Sequence, residues 1–410
     1  MKSKSIWINL SMAGLCTVGV LGFLLRCKVV FAMPFINYNH LLEAHSHFTF
    51  GGWVTLILLT LMTSELLPAN LSNRKMYYQV LGGITVSAWC MLITFFAKGY
   101  DPLSIISSTL FIIFTYIFGY VFIRDILKSN LPRHVRLLAI SSVISLITSS
   151  FGTFIIAYVY FNHSLDAMLY RNALFTYLHF TYNGFFSLSI FAIFFNFINT
   201  AISDNLRKGI AQFSYVLIIS LVPSLFLSYL WQDPNTIFRI LAITGSIITS
   251  VAFFLIVKIS KSLNQLMRAK KSLIRFLFAI SIGSFILKLF LQCFTIFPVI
   301  GNAIFGNRPI IMGFLHLVFL AFCTFFILGY WVEQNIIDYN RKLTRIALAL
   351  FSIAVLCNEV LLITQGLITM FIPGSTIFLW LLWVVSIFLF LGTILIAIAR
   401  YQTIQQRNNH

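Results

Sequence analysis

The sequence predicts an all-α, polytopic membrane protein with about 12 transmembrane helices. Its composition, the spacing of its apolar runs and the distribution of its basic residues lead to this fold class. Of 410 residues, 60% are hydrophobic and only 9% are charged, and the mean hydropathy is +0.94. A packed soluble domain keeps a polar surface toward water, which this composition does not supply. We therefore predict one integral membrane domain over residues 1–410, surrounded by a lipid bilayer.

Charge clusters, prolines and glycines divide the chain into twelve apolar segments. Each has roughly 20–30 residues, enough for a helix to cross a hydrocarbon core of about 30 Å. In chain order the predicted spans are residues 6–31, 41–68, 77–98, 103–126, 136–161, 172–199, 208–231, 236–260, 272–297, 309–335, 343–372 and 375–400. The longest polar stretch between them, residues 258–275, is predicted to be a basic loop.

The first span begins like a secretory signal peptide, and "VFA" at residues 30–32 resembles a cleavage site. Arg26 and Lys28 interrupt the apolar run before that site, and the run is long enough to cross a membrane. We therefore predict an uncleaved first helix.

The basic residues predict the orientation of the spans. If the N-terminus and every even-numbered connection are cytoplasmic, that side holds 21 of the 28 Lys and Arg residues. One further residue, Lys288, falls inside a span, and the opposite side holds Arg26, Lys28, Lys98, Arg171, Arg239 and Arg308. This asymmetry follows the positive-inside rule and predicts cytoplasmic termini in a cell (inner) membrane. The net charge of +18 is therefore an orientation signal, and no nucleic-acid partner is expected.

A short motif recurs three times along the chain. "HFTFGGW" begins at His47, "HFTYNGF" at His179 and the weaker "HLVFLAF" at His316, on predicted spans 2, 6 and 10. Since four spans separate successive copies, the chain divides into pseudo-repeats over about residues 1–134, 135–271 and 272–410. Each histidine lies about 10 Å into its span from the same side, so the three rings are expected to converge.

A second histidine, His45, precedes His47 by two residues. On a helix the two rings point about 200° apart and serve different faces. Intramembrane ionisable groups are costly and face the bundle interior, where imidazole is a common ligand for iron and copper. Hydrogen bonding across helices is the alternative role for each histidine taken singly.

Other polar residues yield weaker predictions. Glu43 lies near the histidines and is expected to orient an imidazole. Glu359 and Lys288 are predicted as a possible intramembrane pair. Pro223 is predicted to kink span 7, and His134 is expected in a solvated loop.

Together these residues resemble subunit I of the haem-copper oxidases and the NnrS haem-copper membrane proteins. The features shared are twelve spans, histidines on spans 2, 6 and 10, and the "HxH" followed by "FG" in "HSHFTFGGW". The resemblance implies three four-helix arcs and a haem, of b type, held by His45 or His47 together with His316. It also implies copper or another metal at His179 and Tyr182.

The chain departs from the family at the second metal centre. Helix 7 of the oxidases carries two adjacent copper ligands, whereas residues 213–231 contain no histidine, and span 10 has only His316. The resemblance therefore implies a membrane haem protein that responds to redox state or to a gas such as NO or O2. A complete oxygen reductase is not expected, and a redox partner or quinone is the implied electron donor.

Two other functions fit the same spans. A secondary transporter also has twelve spans and internal repeats, and it would place polar groups near the bilayer midplane. A structural subunit of a larger complex fits everything except the repeated histidines.

Overall fold

The computed structural model describes residues 2–232, 234–305, 307–369 and 376–408, which form helices and no strand. In this part of the chain, twelve helices are long and apolar enough to cross a membrane. In order, spans 1 to 12 are Lys4–Val30, Tyr38–Leu66, Lys75–Lys98, Pro102–Ile126, Arg133–Phe161, Ala167–Ile198, Asp204–Gln232, Thr236–Met267, Ser272–Phe294, Arg308–Glu333, Lys342–Ile368 and Ile377–Arg407. The chain is thus an all-helical, multi-pass membrane protein.

All twelve predicted spans occur, and most of their ends agree within a few residues. The predicted end of span 11, at residue 372, and start of span 12, at residue 375, lie outside the described residues. The predicted loop over residues 258–275 is wrong in its first part, because span 8 stays helical to Met267. Ile259, Leu263 and Met267 recur every four residues and are buried. Their spacing gives the polar stretch an apolar face that packs on the core.

Side-chain caps start the three spans that carry the histidine motif. Asn37, Asp166 and Asn307 each accept hydrogen bonds from backbone amides in the first turn of spans 2, 6 and 10. Those amides have no intrahelical partner, so an Asn or Asp at this position stabilises the helix start. Because four crossings separate each of these spans from the next, all three begin at one end of the bundle, which we call the histidine end.

Consecutive spans pack side by side, and span 12 packs on span 1, which closes the ring. Spans 2, 6 and 10 form its centre. In their most apolar windows 78%, 83% and 61% of residues are buried, against 28% to 50% for the other nine spans. The three central helices therefore define three bays: spans 2 to 6 (the first bay), spans 6 to 10 (the second bay), and spans 10 to 12 with 1 and 2 (the third bay).

Each central span contains a π-helical segment, at Thr49–Thr55, His179–Phe186 and Leu317–Thr324. The three segments fall at or just after the repeated histidine, so the backbone carries the same threefold repeat as the sequence. A π-helical turn is rare and occurs often at functional positions.

Aromatic rings fill the space between the central spans. Phe50 lies 4.6 Å from Phe319 and 6.0 Å from Phe186, and Phe186 lies 5.4 Å from Phe319, measured between ring centroids. Each ring comes from a different central span. This aromatic packing leaves the bays, and not the central axis, as the places where polar groups collect.

At the other end, Glu65 joins all three central spans. Tyr330 of span 10 donates to the Glu65 carboxylate at 2.7 Å, and Asn196 of span 6 donates to the Glu65 backbone carbonyl at 2.9 Å. Lys4 of span 1 forms an ion pair with the same carboxylate. One residue of span 2, through its side chain and its backbone carbonyl, thereby connects the helices that hold the histidines.

Candidate functional site

The repeated histidines do not converge, and that prediction is wrong. His47 contacts span 3 and its loop, His179 contacts span 7, and His316 lies in the third bay. The central aromatic rings stand between them, and each copy of the repeat turns its histidine toward its own bay. Within the described ranges, no three His, Cys, Asp or Glu side chains form a group able to hold a metal ion.

His179 is completely hydrogen-bonded inside the protein. It is fully buried, and its Nε2 lies 2.8 Å from the backbone carbonyl oxygen of Leu221, which can only accept. Nε2 therefore carries the hydrogen, and Nδ1 accepts from the Asn183 amide at 3.0 Å. A metal ion at either nitrogen would displace one of these bonds. The geometry thus favours interhelical hydrogen bonding, the alternative role, for His179.

Tyr182 shares two neighbours with His179, the Asn183 side chain and Lys288 of span 9. Its ring lies 5.9 Å from that of Phe314 on span 10 and 6.0 Å from the Lys288 ammonium on span 9. A metal ion at His179 and Tyr182 would have to displace one of the two hydrogen bonds that His179 makes inside the protein.

Pro223, which was predicted to kink span 7, lies close to a change of helix type in that span. The α-helix ends at Leu225, two residues after this proline, and continues as a 3-10 helix from Phe226 to Gln232. Proline has no amide hydrogen to donate, which weakens the α-helix there.

His45 and His316 come together in the third bay. Each lies close enough to Arg26 of span 1 to interact with it electrostatically, and they interact with one another. The His45 ring faces span 1, where a Cβ atom on Gly22 would lie 3.4 Å from its Cε1. His45 Nδ1 is buried without a hydrogen-bond partner, and the ring is also within hydrogen-bonding reach of the Val18 backbone on span 1. The pair is assembled from helices distant in sequence.

His316 is oriented by its own helix. Its Nδ1 lies 2.7 Å from the Met312 backbone carbonyl oxygen, so Nδ1 carries the hydrogen. Neutral imidazole then keeps a lone pair on Nε2, the atom that is left for a ligand. Metal-binding histidines commonly have this second hydrogen bond to a carbonyl, because it fixes the ring and its tautomer.

Two positive charges flank this histidine pair at the histidine end. Arg308 donates to the Tyr38 hydroxyl at 2.8 Å, and its guanidinium lies 5.6 Å from the centre of the Tyr38 ring. Arg26 lies within electrostatic range of both Arg308 and Tyr38. The entrance of the third bay is therefore positively charged and suits an anionic group.

His47 belongs to the first bay. Its Nε2 lies 3.2 Å from the Tyr100 hydroxyl, and its ring stacks on Phe95 at 4.2 Å between centroids. The two residues of the "HSH" segment thus face different bays, as the 200° separation predicted.

His47 borders a cavity lined by hydroxyl groups, which was not predicted from the sequence. The run "SSVISLITSSFGT" at residues 141–153 was a usable signal, since it places serine and threonine on successive turns of span 5.

Glu43 does not orient an imidazole as predicted. Its Oε2 atom is buried without a hydrogen-bond partner, beside Gly99 and the ring of His40. Tyr100 lies nearby, outside the spans, and its pKa is raised by burial and further by Tyr170, Glu43 and Tyr177. A carboxylate and several phenols therefore cluster at the opening of the first bay.

The predicted partnership of Lys288 and Glu359 is also wrong. Lys288 lies 5.0 Å from the Phe285 ring centre, and Glu359 accepts from Asn358 at 3.2 Å. Span 10 stands between spans 9 and 11 and separates the two. His134, predicted in a solvated loop, is buried at the start of span 5.

No protein-family model and no curated protein matches this chain. The likeness to the haem-copper oxidases therefore depends on the quoted residues and their spacing.

Proposed function

We propose that this chain is a haem-binding integral membrane protein related to haem-copper oxidase subunit I and to NnrS. His45 and His316 are the axial ligands in this proposal. The supporting observation is that spans 2 and 10 bring these two imidazoles into one bay, each with a ring nitrogen that has no described hydrogen-bond partner.

The residues of the third bay fit the chemistry of haem. Two neutral imidazoles suit a low-spin b-type iron, and the Met312 carbonyl holds His316 in the ligating tautomer. Arg26 and Arg308 suit the carboxylates of a haem. His47 and His179 are outside this ligand set, because they face other bays.

Haem would supply an iron that accepts and releases one electron. The chain's own residues hold the ligands in position and exclude water from the bay. We propose a redox or gas (NO/O2) response with a quinone or protein electron donor, and no complete oxygen-reducing centre. We place the chain in the cell (inner) membrane with both termini cytoplasmic, because of its basic connections.

The direct test is the optical spectrum of protein purified after haem-replete expression. We expect a Soret band, a b-type pyridine haemochrome, and loss of most haem in His45→Ala and in His316→Ala. His47→Ala is the matched control, since it removes a histidine two residues away that faces the first bay. Absence of haem from the wild type would overturn the proposal. Equal loss from all three variants would overturn the ligand assignment.

The alternative function, a secondary transporter, gains support from one observation. The cavity beside His47 reaches from the histidine end toward the middle of the bundle, where transporters bind substrates. Solute flux in proteoliposomes without haem would favour this alternative.

A further inference from the structure

The first bay contains a small cavity of about 50 Å³ between spans 2, 3, 4, 5 and 6. This volume has room for a small ion or a few water molecules and is too small for an organic ligand. Apart from His47 and aromatic and aliphatic side chains, the lining carries hydroxyl groups, among them those of Thr55, Ser108, Thr115, Ser149, Thr153 and Thr181. A cavity lined by this many hydroxyls can hold a polar occupant inside an otherwise apolar membrane domain.

The hydroxyls present oxygen lone pairs to the cavity. Ser108, Thr115, Ser149 and Thr181 each donate their hydrogen to a backbone carbonyl three or four residues earlier on the same helix. A hydroxyl that donates to its own helix keeps its acceptor sites free. The cavity therefore offers acceptors, and its occupant is a hydrogen-bond donor or a cation.

The charge near the opening of this cavity favours a cation as its occupant. Glu43 lies one helical turn before the lining residue His47, its Oε2 is buried without a partner, and Tyr100 and Tyr170 lie within electrostatic range of it. The aromatic rings of Phe50 and Phe111 also line the cavity. A single carboxylate suits a monovalent ion, since calcium and magnesium sites use several charged oxygen ligands.

We propose that the first bay binds a small monovalent cation, of the size of ammonium or potassium, through the hydroxyl oxygens of the cavity, while the Glu43 carboxylate at its opening attracts the positive charge. Ammonium would donate hydrogen bonds to the same oxygens that would coordinate potassium. This binding site is separate from the proposed haem pair, which faces the third bay.

The test is the unfolding temperature of the purified, detergent-solubilised full chain. Ammonium, potassium or sodium chloride is titrated against N-methylglucamine chloride at constant ionic strength. A bound ion stabilises the folded state in proportion to the logarithm of its concentration over its Kd. We expect the unfolding temperature to rise with the logarithm of the ammonium or potassium concentration above the Kd, and the tighter of the two identifies a hydrogen-bond donor or a coordinated ion.

Two variants and one control make the result specific. Thr153→Val removes a cavity oxygen at nearly constant volume and should weaken binding about tenfold, because a hydrogen bond to a charged group is lost. Glu43→Gln should weaken it more. Thr148→Val, on the same span but outside the cavity, should leave binding unchanged.

The inference would be overturned if no cation raised the unfolding temperature above the N-methylglucamine control, or if Thr153→Val and Glu43→Gln kept the wild-type affinity. Equal weakening by Thr148→Val would overturn it as well. A chain that binds no haem but binds the cation contradicts the proposed function alone, so the two failures are distinguishable.

Discussion

Removing the Tyr330 hydroxyl tests whether the Glu65 contacts hold the three central spans together. In Tyr330→Phe, Glu65 loses the bond that Tyr330 donates at 2.7 Å, while the buried ring and its packing remain. A hydrogen bond to a charged group contributes about 1.5–3 kcal/mol, so we expect the free energy of unfolding to fall by about that much. The Lys4 ion pair should matter less. Its side chains are 31% and 20% exposed, and water screens such pairs to about 0–1 kcal/mol.

The assay is equilibrium unfolding in mixed micelles, with helicity followed by circular dichroism. Tyr120→Phe is the matched control, because Tyr120 is 70% exposed and the same atom is removed. We expect the order Tyr330→Phe, then Lys4→Met, then Tyr120→Phe, from most to least destabilised. If Tyr330→Phe unfolds with the same free energy as Tyr120→Phe, Glu65 does not organise the centre of the bundle.

Three further predictions concern His179, the orientation and Tyr100. Asn183→Leu removes the donor to His179 Nδ1 and should lower the free energy of unfolding by about 1–3 kcal/mol while haem content stays at the wild-type level; loss of haem would give His179 a cofactor role. With an impermeant thiol reagent added outside cells, His163→Cys should gain label over the parent chain and Arg268→Cys should not; the reverse pattern would invert the proposed topology. Burial raises the pKa of Tyr100, so its phenol stays protonated in the folded protein above pH about 10. An unfolded tyrosine loses its proton there. Stability should therefore fall as pH rises above about 10, and Tyr100→Phe should reduce the slope in thermal melts; an unchanged slope would exclude Tyr100 as its source.

The spans could be predicted from the sequence because each depends on a local quantity, a run of apolar residues long enough to cross a bilayer. The helix over residues 258–267 was not predicted because polar residues outnumber the apolar ones there. The apolar residues lie on one face, which packs only because the helix continues beyond the predicted span. The partners of Lys288 and Glu359 were missed for a different reason. Which spans are neighbours depends on the order of helices in the ring, which hydropathy does not contain.

The histidines show the same limit at the level of the site. The repeated motif lies on spans 2, 6 and 10, which are the three central spans, and we predicted a common centre from it. A threefold arrangement of helices, however, turns equivalent side chains toward three different bays, and the aromatic rings of Phe50, Phe186 and Phe319 occupy the axis. Two histidines from different central spans can therefore meet in one bay only if one of them lies outside the repeated position.

His45 is such a residue. It has no histidine counterpart two positions before His179 or His316, where Tyr177 and Phe314 stand. Its offset of about 200° from His47 turns it away from the first bay and toward His316 in the third. The same offset leaves His47 beside the hydroxyl-lined cavity. The two-residue spacing on span 2 thus places His47 in the first bay and His45 in the third. His45→Ala should therefore affect haem binding, and His47→Ala should affect cation binding.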